Sequence, residues 1–312
     1  MGSPASRVGD AGPEPLPAAA LLPRCAFPPP GTPVVCAVSG GPDSLALLVL
    51  ATAADLAVTA VHVDHGLRPG SAAEAAVVAA AAARFGAAFR SETLHLDPGP
   101  NLEARARAAR SHLLGQAATG HTMDDQAETV LLNLLRGAGL DGLAAMRPGP
   151  RHPLLGLRRA ETRALCAGLG LDVVHDPTNA DPRFLRNRVR HELLPLCCAL
   201  AGRDVVPVLA RQAGLLADEA DLLDDLAAAL DPASCADLVA AAPALARRAT
   251  RRWLRGDDPH PPDRGAVERV LAVARGESRA TEVVPGVTVR RSAGRLSLAA
   301  PSTAADDPAP AG

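Results

Sequence analysis

The chain has 312 residues, 48% of them hydrophobic and only 2% aromatic, so it can bury a substantial, aliphatic core in one large or two smaller domains. All 32 basic residues are arginine, and the absence of lysine excludes Schiff-base enzymes, lysine-bound pyridoxal phosphate and any phosphate loop that relies on lysine. A formal net charge of −2 excludes a generally basic nucleic-acid binder, leaving local arginine clusters to hold any polyanion.

In chain order, residues 1–30 are rich in Pro, Ala and Gly without a period and read as a disordered leader. The segment 33–39 is short, apolar and β-branched, which predicts a buried strand; a Gly-Gly turn then leads into an apolar helix from Pro42 to about Ala54. A second strand is expected over 58–64, an Ala-rich helix over 72–84 and a third strand over 88–94. Asn101 is placed to cap a helix reaching about 117, and a short apolar segment follows before a helix that begins near Met123. Strand–helix alternation at this spacing implies right-handed βαβ units and a doubly wound parallel sheet, an α/β fold of Rossmann-like type.

From about 158 the pattern turns helical. Asp181-Pro182 is a favourable N-cap and first-turn pair, and the helix after it is expected to put Leu185, Val189 and Leu193 on one face, with Arg186 and Arg190 on another. Leucine pairs alternate with acidic residues over 215–230, as in an amphipathic helix, and 281–298 alternates about a Pro-Gly turn, as in a small hairpin. The expected division is a nucleotide-binding catalytic domain over 31–215, a smaller, mainly helical domain over 216–300 and a disordered tail over 301–312.

Four blocks carry chemistry. In Ser39-Gly40-Gly41-Pro42-Asp43-Ser44, the glycines let an anion approach backbone N–H groups at a helix start, and the serines add donors. Asp43 would repel phosphates unless a Mg²⁺ bridges them. In the block 120–129, Thr122 and Asp125 stand in capping-box register, and Asp125 shares a helix face with Glu128. These carboxylates serve either as plain N-terminal helix charges or as holders of Mg²⁺ or an ammonium group. The block from His62 to Arg68, with His65, ends the second strand and suits the lining of a nucleotide pocket better than a metal site. Arg107 and Arg110 lie three apart on the fourth block and could meet an anion together or form a solvated face.

These blocks, in this order, resemble the tRNA(Ile)-lysidine synthases of the PP-loop ATP-pyrophosphatase superfamily. The likeness runs from about 33 to 195 through SGGPDS, HVDHGLRPGS, GHTMDDQAET, HPLL at 152–155 and DPTNADPRFLRNRVR at 176–190. Ser111 stands where the family usually has Tyr, and His152 where Arg is usual. The resemblance implies ATP-dependent ligation of free L-lysine to C2 of the wobble cytidine of tRNA(Ile) with a CAU anticodon, through an adenylated intermediate. ATP would lie on Ser39, Gly40, Gly41, Pro42, Asp43 and Ser44 with His65 nearby, and Mg²⁺ on Asp43 and Asp125. Asp125 and Glu128 would orient the amine of lysine and Arg107 its carboxylate.

Arginines would grip the tRNA: Arg183, Arg186 and Arg190 with Asn187 on one helix, and Arg247, Arg251 and Arg255 on one face of another. A second PP-loop tRNA-modifying activity, such as 2-thiolation, and a non-catalytic nucleotide-binding module are the alternatives. Cysteines 25, 36, 166, 197, 198 and 235 contain no C-x-x-C pair, so packed thiols are expected. The Pro-interrupted N-terminus makes a poor signal peptide and no uncharged apolar run approaches ~20 residues, so a cytoplasmic protein, possible as a homodimer, is expected.

Overall fold

The computed structural model describes residues 17–64, 71–93, 115–174, 181–256 and 262–299. The chain divides into two compact units, Met1–Ala217 and Asp218–Gly312.

Four strands of the first unit form one parallel sheet: β1 (Pro33–Ala37), β2 (Ala57–Asp64), β3 (Ala88–Thr93) and β4 (Ala118–Thr119), in the order β3-β2-β1-β4. The chain winds outward from β1 through β2 to β3 and then returns to the other side of β1. The order therefore reverses between β1 and β4, and the carboxyl ends of these two strands border the crevice where open α/β sheets bind ligands. Helices α1 (Pro42–Ala53), α2 (Ser71–Arg84), α3 (Met123–Leu135) and α4 (Arg159–Gly168) follow β1, β2, β4 and the 152–157 segment.

Helix α1 is apolar all round and every residue from Ser44 to Ala51 is buried, which makes it the centre of the core rather than an amphipathic cover. It packs with Cys36, Val58, Val78, Leu154, Leu157 and Leu165. The expected leader does not hold from Pro17 onward. Ala18–Leu21 forms a helical turn, Leu21 joins the core at 1% exposure, and Arg24 donates to the Gly156 carbonyl and to Glu161. Apolar Ala and Leu side chains inside the Pro-rich stretch are the reason. Residues 1–16, the helix expected over 101–117 and the tail from 300 lie outside the described residues.

The helix expected from Asp181-Pro182 begins later, at α5 (Leu185–Arg188). Asp181 closes a local turn instead, accepting from the Arg183 backbone N–H at 2.9 Å and from its guanidinium. A π-helical turn, Val189–Leu193, then precedes α6 (Leu194–Ala201), with the Leu194 N–H donating to the Val189 carbonyl. The extra residue shifts the apolar face by one position. Val189 and Leu194 are buried, whereas Leu185 is exposed.

Helix α7 (Val206–Ala228) comes next. The second unit contains α8 (Cys235–Ala240), α9 (Pro243–Arg255) and α10 (Arg264–Arg275), and an antiparallel sheet of β5 (Ala280–Val284), β6 (Val287–Ser292) and β7 (Arg295–Ala299). Its core joins Leu238, Ala246, Val267, Val270, Val289 and Leu296. The Pro-Gly turn joins β5 to β6, and β7 is a third strand that the alternation alone does not separate.

Gly120, directly after β4, fixes how closely that strand approaches α1. A Cβ there would lie 2.5 Å from the Asp43 carbonyl oxygen and 2.9 Å from the Ser44 nitrogen, which are backbone atoms of the helix start. Replacing Gly120 by Ala is therefore expected to displace the loop at 39–44, raising the KM for ATP severalfold while the thermal midpoint falls by only a few degrees; steady-state kinetics beside a melting curve checks this.

Candidate active site

The 39–44 loop is folded onto itself. Gly41 is extended, Pro42 opens α1, and Gly40 has φ +87°, a conformation that glycine adopts without strain. Ser44 Oγ donates to the Gly41 carbonyl at 2.8 Å and accepts from the Ser39 N–H at 3.1 Å, with Ser39 Oγ 3.2 Å away. Val174 donates its N–H to the Gly40 carbonyl at 2.9 Å, so the chain after α4 closes over the loop. The Cys166 thiol donates to the Pro42 carbonyl at 3.2 Å, and burial pushes its pKa up to about 12. All six cysteines are free.

Asp43 points from the first turn of α1 towards α4. It accepts from the Thr162 hydroxyl, and its other oxygen lies 3.5 Å from Arg159 Nε. Burial raises its pKa against the opposing effects of Thr162 and Arg159.

Asp125 and Glu128 sit on α3 as expected. Asp125 Oδ2 accepts from the Thr122 N–H at 2.9 Å and from its hydroxyl at 2.8 Å. Asp125 Oδ1 accepts from Arg159 at 2.8 Å, Arg186 at 2.9 Å and Arg190 at 3.4 Å. Glu128 is 0% exposed and takes Arg159 and Arg190 on one oxygen and Arg186 and Arg190 on the other, at 2.7–3.2 Å. Three carboxylates and three guanidiniums thus share one site, and such pairing is what permits buried charge. Burial alone would raise the Asp125 pKa, but Arg159, the Thr122 N–H and Arg186 hold it down to about 2.

Several expectations change with this geometry. A carboxylate offers roughly four acceptor sites, and Asp125 meets five donors, so the reading of Asp125 as a Mg²⁺ ligand is not supported. Asp43 fits a hard cation better, because among the described residues one of its oxygens has no donor closer than Arg159 Nε. Arg186 and Arg190 point into the acid pair rather than outward, and Asn187 is buried with its amide donating to the Asp181 carbonyl, so their expected phosphate contacts are corrected. Arg183 is exposed and carries Asp181 as partner.

In the second unit, Arg247 and Arg255 are exposed on α9 and Arg251 is half-buried; Arg247 pairs with Glu268 at 2.6 Å. His62 is a core residue whose Nδ1 bonds the Val38 carbonyl at 3.0 Å. His65 and Arg107 lie outside the described residues.

Arg158, Arg159 and Thr162 are site residues that the sequence alone did not single out. Arg158 bridges Asp124 and Asp204, and the Arg159 N–H donates to Asp124 at 2.8 Å. Their one local signal is a double arginine followed by Glu161, just after the HPLL block and at the start of an apolar-periodic helix. His152 meets Thr119 Oγ1 at 2.8 Å; the same oxygen lies 2.7 Å from His121 Nδ1. Burial, with His121 and Arg151 nearby, lowers the His152 pKa to about 4, so the ring is neutral at pH 7.

Known proteins resemble this chain. A PP-loop domain family matches residues 23–197, and a TilS substrate binding domain family matches 234–297. A tRNA(Ile)-lysidine synthase of Mycolicibacterium paratuberculosis is 47% identical over 234 residues, 70% of this chain and 73% of the relative.

The chain belongs to the tRNA(Ile)-lysidine synthase family.

Two further members bear on how much of the chain is shared. That of Nocardia farcinica is 43% identical over 290 residues, covering 85% of this chain and 91% of the relative. That of Salinispora tropica is 41% identical over 313 residues, covering 88% and 92%. Among solved structures, a U34-tRNA thiolase from Methanococcus maripaludis with its [4Fe-4S] cluster superposes with a TM-score of 0.52 at 16% identity, covering 64% of this chain and 78% of the thiolase. That likeness shows the PP-loop fold and nothing finer.

The depressed Asp125 pKa makes this family member's stability acid-sensitive. A carboxyl held below its unfolded value contributes stability that is complete above the unfolded pKa and lost as pH falls through the folded one. Between about pH 4 and pH 2 the thermal midpoint should therefore fall. Asp125→Asn should be less stable at pH 7 and show a shallower fall over that window, which melting curves across pH will check.

Proposed function

We propose that this lysidine synthase family member ligates lysine to C2 of the wobble cytidine of a tRNA(Ile) with a CAU anticodon. ATP adenylates the base and releases pyrophosphate, and the ε-amine of lysine then displaces AMP. The observation that carries the reading is the meeting of the nucleotide loop and the acid pair: Asp43 and the carboxylates of Asp125 and Glu128 touch one guanidinium, Arg159. On this reading the phosphate end and the amine end of the two-step reaction lie side by side, and a bound nucleophile attacks as if unimolecularly.

The positive start of α1 and the hydroxyls of Ser39 and Ser44 favour the triphosphate. Asp43 would hold Mg²⁺, which when bound offsets charge on the phosphates. Asp125 and Glu128 already carry three arginines, so the ammonium of lysine reaches them by taking the place of one. Arg186 is the candidate, since its side chain is 40% exposed against 13% for Arg159 and 22% for Arg190. Arg183, Arg247, Arg251 and Arg255 are the arginines left to meet tRNA phosphates, and binding should weaken steeply with salt. Among the described residues no single helix is long and apolar enough to cross a membrane.

The test is transfer of labelled lysine to a CAU-bearing tRNA(Ile) transcript with ATP and Mg²⁺. Incorporation should require all three, and Asp43→Ala should reduce it at least about 100-fold. Incorporation that persists in Asp43→Ala would overturn the role given to the loop.

A further inference from the structure

We propose that Arg159 is a positioning residue for the adenylation step, through which Asp125 and Glu128 act on Asp43 before lysine is involved. The proposal rests on the reading of Asp43 as the acid of the nucleotide loop. Arg159 is the one described arginine whose side chain touches all three carboxylates: Asp43 at 3.5 Å through Nε, Asp125 at 2.8 Å and Glu128 at 2.9 Å through its two terminal nitrogens. Arg186 and Arg190, from a different segment of chain, pair with Asp125 and Glu128.

A planar guanidinium with donors in a fixed fork can serve three acceptors at once, whereas an ammonium is a point charge. The fork is itself held. The Arg159 N–H bonds Asp124, Arg158 braces the same carboxylate, and the side chain is only 13% exposed. Thr162 lies three residues on, on the same face of α4, and its hydroxyl donates to Asp43. One helix face therefore sets the direction of Asp43 with a hydrogen bond and a cation. The cation makes no hydrogen bond to Asp43, so it orients the carboxylate and leaves that oxygen able to turn to a ligand.

The measurement is pyrophosphate release from ATP by the full-length protein with tRNA(Ile) and Mg²⁺ and without lysine, followed over a range of ATP concentrations. Arg159→Gln should lower kcat on the order of 100-fold and change the KM for ATP less than about threefold, the pattern of a lost transition-state contribution. Arg159→Lys should recover part of that rate. Free guanidinium at millimolar concentration should accelerate Arg159→Ala at least about fivefold and leave the wild-type rate unchanged, which a merely structural role would not produce. Glu128→Gln should slow the same lysine-free step.

Wild-type pyrophosphate release by Arg159→Gln, or a loss confined to the lysine step, would overturn the proposal. Should Arg159→Gln fail to fold, Arg159→Lys decides: a rate equal to wild type refutes the need for a fork. Asp43→Ala separates the two readings. Normal release there would sink the loop assignment itself, whereas no release there beside normal release in Arg159→Gln would sink only the role of Arg159.

Discussion

The first unit is organised around a desolvated charge cluster in which three carboxylates are matched by three guanidiniums. Removing a charge from water costs several kcal/mol unless a partner takes over its hydrogen bonds, so the most buried members, Glu128, Asp125 and Arg159, depend on one another. The carboxylates come from the start of α1 and from α3, and the cations from α4 and from the 185–190 segment. Four pieces of chain, up to 147 residues apart between Asp43 and Arg190, are thereby given a common meeting point. The apolar core beneath, centred on α1, supplies the stability; the charges supply the register.

The elements legible in the sequence and those that were not divide along physical lines. Strands β1 to β3 and helices α1 to α3 were legible because their signals are local, namely β-branched runs, glycine turns and a capping pair at Thr122 and Asp125. The loop at 39–44 was legible for the same reason, since its chemistry lies in six consecutive residues. Arg159 was not, because nothing near it in sequence says that it faces carboxylates on two other helices. Arg186, Asn187 and Arg190 have the spacing of a solvent-facing row, and tertiary partners turn them inward. The start of α5 departs from its sequence signal because Asp181 finds a nearer donor in Arg183 than a helix end.

The exclusive use of arginine has a consequence for this cluster. Guanidinium stays protonated at any pH at which the protein is folded, whereas a buried lysine readily shifts and loses its charge. The cations that touch the carboxylates therefore cannot be neutralised by burial, and the charge balance of the site is altered at the carboxylates, at the neighbouring His121 or by an incoming ligand.

The π turn at Val189–Leu193 adds one residue to a helical path. That single residue lets Arg190 face Glu128 while Leu194 is buried in the core and Leu193 packs half-buried against it. The extra residue is absorbed within the turn, so Val189 and Leu194, five apart, face the core as residues four apart do in a plain α-helix. Losing one residue here would relax the turn to α-helix and keep the flanking faces, whereas gaining one more would swing the helix beyond it by about 100° about its axis. Chain length in this stretch is thus constrained on one side only: it can shorten by a codon more readily than it can lengthen.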